Sequence, residues 1–171
     1  MIAAGVMAVL VFVPMLVETA ISSRHDRGLR AQGAIEPPGD VYRAMALVYP
    51  GSFVAMLAEG VVRGANGSAG LDAWFAAGLV VFAVAKALKY WAIASLGSRW
   101  TFRVLVPPGS ARTTRGPYRW IAHPNYVAVA GELAGVAVAM HAVVSGPFAV
   151  AGFAWLMLRR ISIEEKALAR G

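Results

Sequence analysis

Apolar residues in this chain come in long, nearly unbroken runs rather than in the one-sided spacing of a helix that keeps a wet face. Stretches almost free of charge fill positions 2–21, 44–62 and 73–96, each closed by charged or Gly/Asn-rich sequence. Crossing about 30 Å of hydrocarbon takes roughly 18 or more such residues, and only a helix satisfies its own backbone there. Three membrane-spanning helices are predicted on that ground. A fourth run, 124–144, opens behind Pro124, whose missing N–H suits a first helical turn. A fifth opens at 146 and meets Arg159 and Arg160 after 13 residues. It reaches about 27 Å only by continuing past those arginines through Ile163, and is expected to run to about 166.

The expected fold is therefore all-α: a polytopic membrane protein with about five transmembrane helices, forming a single domain over 1–171. Composition agrees, since 58% hydrophobic and 15% charged residues do not suit a soluble domain. The first run lacks the basic leader of a signal peptide and carries Glu18 near its end, so it is read as a retained helix. With no cysteine and three scattered histidines, His25, His123 and His141, no metal cluster is expected.

Net charge is +7, which in a soluble protein would suggest nucleic acid. In a five-helix membrane protein its distribution carries more information than its sum. One side collects Arg24, Arg27, Arg30, Arg43, Lys86, Lys89, Arg99, Arg103, Arg112, Arg115, Arg119, Arg159, Arg160, Lys166 and Arg170, against Arg63 alone on the other. The positive-inside rule makes the crowded side cytoplasmic, with the N-terminus outside and the C-terminus inside a cell membrane. Anionic lipids are the expected partners of this basic face, with no nucleic acid and no obligate protein partner.

The loop 97–124 differs from the other connections. It is broken by Pro107-Pro108-Gly109, Gly116-Pro117 and His123-Pro124, and its segment from Trp100 to Val106 has strand-like composition but no partner strand. That segment is read as extended chain on the membrane face. Within eleven residues from Gly116, the loop gathers Tyr118, Arg119, His123 and Tyr126 at the start of the fourth helix, where free backbone N–H groups favour a polar ligand. Trp120 is read as an interfacial anchor. A second polar group, Arg160 to Glu165, follows the fifth helix. Arg160 and Glu164 are spaced to share a face, where the plainest reading is a weak surface ion pair.

At these residues the chain resembles the isoprenylcysteine carboxyl methyltransferase family, in particular its small bacterial membrane branch. The resemblance is carried by Thr114-Arg115-Gly116-Pro117-Tyr118, by His123-Pro124-Asn125-Tyr126 and by Arg160-Ile161-Ser162-Ile163-Glu164-Glu165. It implies a five-helix enzyme that binds S-adenosyl-L-methionine at the cytoplasmic face and admits a lipophilic small-molecule acceptor from the bilayer. By the same resemblance, Ser110, Ala111, Arg112 and Thr113 line the cofactor, and Tyr118, His123 and Glu164 contact it. Arg103 falls near a further cofactor contact, and Arg160 takes the substrate side, with Arg160 and Glu164 as the catalytic pair.

Methyl transfer from a sulfonium asks a protein mainly to align two partners and exclude water. A carboxylate such as Glu164 suits the cofactor's hydroxyl or amino groups, and Arg160 suits an acceptor's carboxylate or phenol/enol oxygen. Tyr126 is a further substrate candidate, as is Glu132, the latter from its depth in the fourth helix. Glu18 is expected to pair with Arg24 or Lys89, and Glu59 to lie near the outer interface. Ala122 stands where much of the family has Arg before His-Pro, and Arg119 would reach that space only if the fourth helix began early. The short stretch after the Glu pair argues for a small lipophilic acceptor over a prenylated protein. An NADPH-dependent sterol-type reductase also uses His-Pro-Asn-Tyr, but with Gly-Glu closer behind it than Glu132 stands here; a non-catalytic scaffold is the third reading. Trp74, Phe75, Phe82 and Tyr90 could line a tunnel or face lipid.

Overall fold

A computed structural model describes residues 1–65, 70–105 and 113–168. Its described residues form five long helices and no strand: α1 (Ile2–Ala31), α2 (Tyr42–Ala65), α3 (Ala73–Leu96), α4 (Pro124–Ala139) and α5 (Ser145–Leu168). Three of them, Ile2–Ala31, Tyr42–Gly64 and the span Ala73–Arg99, are long and apolar enough to cross a membrane. Large apolar side chains such as Leu16, Leu47, Val80 and Leu158 point outward, as lipid-facing positions do. The other two helices fall short of that standard for different reasons. The 16 residues of α4 rise only about 24 Å, and α5 carries Arg159, Arg160, Glu164, Glu165 and Lys166 in its last turns.

Two helix ends differ from those the hydropathy pattern suggests. The first helix does not stop at 21 but continues to Ala31, because the polar residues after Ile21 are adequate helix formers. It ends where Gly33 takes φ +83°. Its polar overhang is a docking post for the segment after α3. Ser22 accepts from the backbone N–H of Phe102 at 2.8 Å, and His25 Nδ1 donates to the carbonyl of Trp100 at 2.8 Å. The stretch with strand-like composition thus finds partners on a helix end instead of in a sheet. Trp100 is buried there, edge-on to Phe102. The fourth helix, conversely, ends at Ala139 and not 144, since His141 takes φ +50° and the chain turns. Glu59 of α2 braces that turn by accepting from the N–H groups of Val144 and Ser145 and from the Ser145 hydroxyl. In that role it caps the start of α5, where a carboxylate is favoured.

The most intimate contact is between α3 and α4. Gly131, Gly135 and Ala139 follow one another at four-residue spacing on α4, opposite Gly78, Phe82 and Ala85. A Cβ on Gly78 would come within 2.5 Å of the Gly135 carbonyl oxygen, and one on Gly135 within 2.6 Å of the Phe82 nitrogen. Small residues at this spacing let two backbones touch where lipid offers no hydrophobic drive to bring helices together. Phe75 and Phe82 are buried in the core, whereas Trp74 and Tyr90 face outward.

Candidate active site

Two clusters of polar side chains sit inside this apolar bundle. The deeper one is ionic. Lys89 Nζ lies 2.6 Å from Glu18 and 3.3 Å from Glu132, and Lys86 Nζ lies 2.7 Å from Glu18 and 2.9 Å from Glu132. Both carboxylates are fully buried. The hydroxyl of Tyr49 donates to Glu132 and lies 3.4 Å from Lys89. Two lysines against two glutamates leave the cluster formally neutral, which is how four ionisable groups can be kept away from water. Lys86 and Lys89, counted by sequence among the basic residues of the cytoplasmic face, therefore belong to the interior of α3. Of the two partners expected for Glu18, Arg24 and Lys89, it takes Lys89, and its second lysine, Lys86, was not expected.

The second cluster lies where α4 and α5 meet the loops after α1 and α3. Arg160 is buried, and it donates to the Phe102 carbonyl, lies 3.6 Å from Met45 Sδ and stands 4.0 Å from Asp40. It is held inward, not on a surface face. Asp40 is tied to the same loop by accepting from the Val104 N–H at 3.2 Å. His123 is the residue just before α4, packs its ring on Tyr126 at 5.4 Å between centroids, and places Nε2 3.4 Å from Glu165. Asn125 and Tyr126 lie in the first turn of α4, as the His-Pro motif suggests.

The clusters open onto one cavity of about 300 Å³. Met15, Pro50, Val129 and Phe153 give it apolar walls. Arg160, Asn125 and Tyr126 mark its loop end, and Tyr49 and Lys89 its deep end. Among the described residues, Arg160 Nε, Asn125 Oδ1 and Asp40 Oδ1 are buried without a hydrogen-bond partner. Unpaired buried donors and acceptors cost free energy, so donor and acceptor atoms left open beside a cavity point to a polar ligand group.

The remaining candidates are placed as follows. Glu132 does not reach the cavity wall itself but stands behind Tyr49 and Lys89. Arg103 pairs with Glu36 at 2.8 Å and Asp26 at 3.6 Å and covers the Tyr42 ring at 4.1 Å, fastening its segment to the loop after α1. Burial raises the Glu36 pKa, but hydrogen bonds from Arg30 and Arg103 outweigh it and hold the carboxyl below its usual range. Tyr118 is half-buried in a short 3₁₀ turn, Gly116–Arg119, and Thr113, earlier in the same loop, is also half-buried. Because α4 begins only at Pro124, Arg119 is not on its first turn; its guanidinium lies over Trp120, and the space before His123 stays without a second basic group from it. Ser110, Ala111 and Arg112 lie outside the described residues, and so does the Glu164 side chain. Sequence reasoning assigned no role to Tyr49, Asp40, Asn125 or Glu165. Membership of the two motifs was a usable signal for the last two, and nothing local marked the first two.

Apolar helices around a cavity that runs from the first turn of α4 into the core define a helical membrane protein with an internal cavity. The isoprenylcysteine carboxyl methyltransferase family model matches residues 76–170, more than half the chain. An uncharacterized protein of Bacillus subtilis, YpbQ, is 30% identical over 151 residues, covering 88% of each chain. This chain belongs to the isoprenylcysteine carboxyl methyltransferase family, and that membership points to a membrane methyltransferase and away from a sterol-type reductase. No solved structure matches it.

Proposed function

We propose that this protein is an S-adenosyl-L-methionine-dependent O-methyltransferase of the cell membrane. Its acceptor is a lipophilic small molecule that enters the cavity from the bilayer and presents a carboxylate or a phenol/enol oxygen. The observation that carries this reading is the buried Arg160 beside Asn125, each with an open polar atom at the cavity, next to the His-Pro turn of a family member. Five crossings, with the C-terminus and the site at the cytoplasmic face, fit the concentration of arginines at that end. Close packing of α4 on α3 lets a short helix share its neighbour's crossing.

The residues present suit the cofactor. The His123–Tyr126 stack offers an aromatic surface and Glu165 offers a carboxylate beside it. When bound, the cofactor supplies a methyl group activated on a sulfonium. Everything else falls to this chain. Arg160 holds the anionic acceptor oxygen in place through charge-assisted hydrogen bonds. The Phe102 carbonyl and Asp40 fix the guanidinium so that little reorganisation is left for the reaction. The apolar walls keep water from competing for the methyl group.

Equilibrium binding of S-adenosylhomocysteine to detergent-purified protein is the test. Saturable binding that weakens in both His123→Ala and Glu164→Ala is expected. No binding by the native chain, or normal binding by both variants, would remove the cofactor site as drawn here.

A further inference from the structure

The short turn before α4 gives no residue to the cavity and is built to face outward. Gly116–Arg119 is seated on the last two turns of α3: a Cβ on Gly116, where φ is +57°, would overlap the Ser95 hydroxyl and come within 3.1 Å of Trp91 Nε1. Beyond that seat the side chains leave the bundle. Trp120 is 68% exposed, its ring 5.8 Å from that of the half-exposed Trp91, and the Arg119 guanidinium lies 5.7 Å from the Trp120 ring centre. Arg115, just before the turn, is exposed as well. We propose that Arg115, Arg119 and the Trp91–Trp120 pair form a headgroup site for an anionic phospholipid, which ties the loop that carries His123 to the membrane surface.

The tryptophans fix the depth of this patch. Val80, Val84 and Trp91 are exposed on one face of α3, at spacings of four and seven residues, so the lipid-facing stripe of that helix runs straight into the aromatic pair. An indole at the end of such a stripe keeps its apolar body against acyl chains and its N–H towards water. The same pairing recurs at the end of α5, where the Arg159 guanidinium lies 4.5 Å from the ring centre of the exposed Trp155. Both ends therefore stand at headgroup level.

Charge selects the kind of headgroup. Arg30 and Arg103, on the neighbouring α1 overhang and the segment docked to it, are taken up by Glu36. Among the described residues, Arg115 and Arg119 have no carboxylate partner. Each offers a planar fork of donors that matches phosphate oxygens. A zwitterionic headgroup brings its own cation to its phosphate, whereas an anionic one leaves that charge for the protein, so phosphatidylglycerol is favoured over phosphatidylcholine. A free phosphate ion would leave the two exposed indoles without an acyl partner. A lipid satisfies both halves of the patch.

Lipid binding is read without cofactor or acceptor, so the test does not depend on the methyltransferase reading. The protein is reconstituted in phosphatidylcholine vesicles containing a minor, equal fraction of either phosphatidylglycerol or phosphatidylcholine with brominated acyl chains, and quenching of tryptophan fluorescence is compared. Brominated phosphatidylglycerol is expected to quench the native protein more strongly, from a local enrichment of about fivefold, the weight of one arginine at an anionic surface. In the Arg115→Gln/Arg119→Gln variant most of that excess is expected to vanish. Trp91→Phe/Trp120→Phe should lose it too, because the reporters at the site are gone while the remaining tryptophans still report on the bilayer. Equal quenching by the two lipids in the native protein overturns the proposal whether or not the variants fold. So does an undiminished excess in either folded variant, which would place the anionic lipid elsewhere on the basic face.

Discussion

The two polar clusters of this bundle are made from similar residue types and finished differently. Around Glu18, Lys86, Lys89 and Glu132 every charge meets an opposite charge from another helix, so the cluster ties α1 and α4 to α3. Around Arg160 the matching stops short: among the described side chains its nearest carboxylate is 4.0 Å away, and it shares the cavity with an amide oxygen that has no hydrogen-bond partner. A polar cluster saturated in charge holds helices together in an apolar interior, and one unsaturated in charge is open to a ligand. The difference lies in charge left unmatched, not in how many charges are present.

The largest expected effect falls on the saturated cluster. Lys89→Met would leave two buried carboxylates with one lysine between them, at a cost of roughly 3–5 kcal/mol, read as a large loss of thermal stability in detergent. A variant as stable as the native protein would show that the cluster does not hold the bundle. Arg160→Ala should divide the regions the other way. It is expected to leave S-adenosylhomocysteine affinity intact while turnover of a true acceptor falls on the order of 10²-fold. An unchanged rate would take Arg160 out of the substrate role.

His123→Ala is expected to weaken cofactor affinity by about tenfold, as the loss of a polar contact and a stacked ring would, with thermal stability nearly unchanged. Smallest is the response of the α1 overhang to acid. The Glu36 carboxyl is held below its ordinary pKa of 4.5 despite the opposing effect of burial, because Arg30 and Arg103 hydrogen-bond to it. Its contribution is thus complete above about 4.5 and is lost as the pH falls through the lower folded value. Glu36→Gln should flatten that slight acid sensitivity in thermal scans taken from pH 5 downward; an identical profile would mean these ion pairs hold nothing.

Hydropathy located the five long helices of the described residues, since each apolar run can be read independently of the others. It misplaced the end of α1 because the run from Arg24 to Ala31 stays helical without being apolar, and helix and membrane boundaries are separate properties. The end of α4 was misplaced for the opposite reason: Met140 to Val144 are apolar but turn, a choice made by His141 and by Glu59 some eighty residues away. The motifs placed Tyr126 and Arg160 at the cavity and His123 beside it, since local spacing carries them. Tyr49 and Lys86 could not be found that way. Their partners lie across the bundle, and neither stands in a pattern of its own.

Pro50 gives the cavity one further property. Lacking an N–H, it leaves the carbonyl of Ala46 without its helical donor, and both residues belong to the cavity wall. On the opposite side, α3 and α4 are knitted backbone to backbone and have no slack. The chamber therefore has one fixed jaw and one that can flex, and under the proposed function acceptors of different length or branching are expected to be accommodated by α2 bending at Pro50 while α3 and α4 stay still.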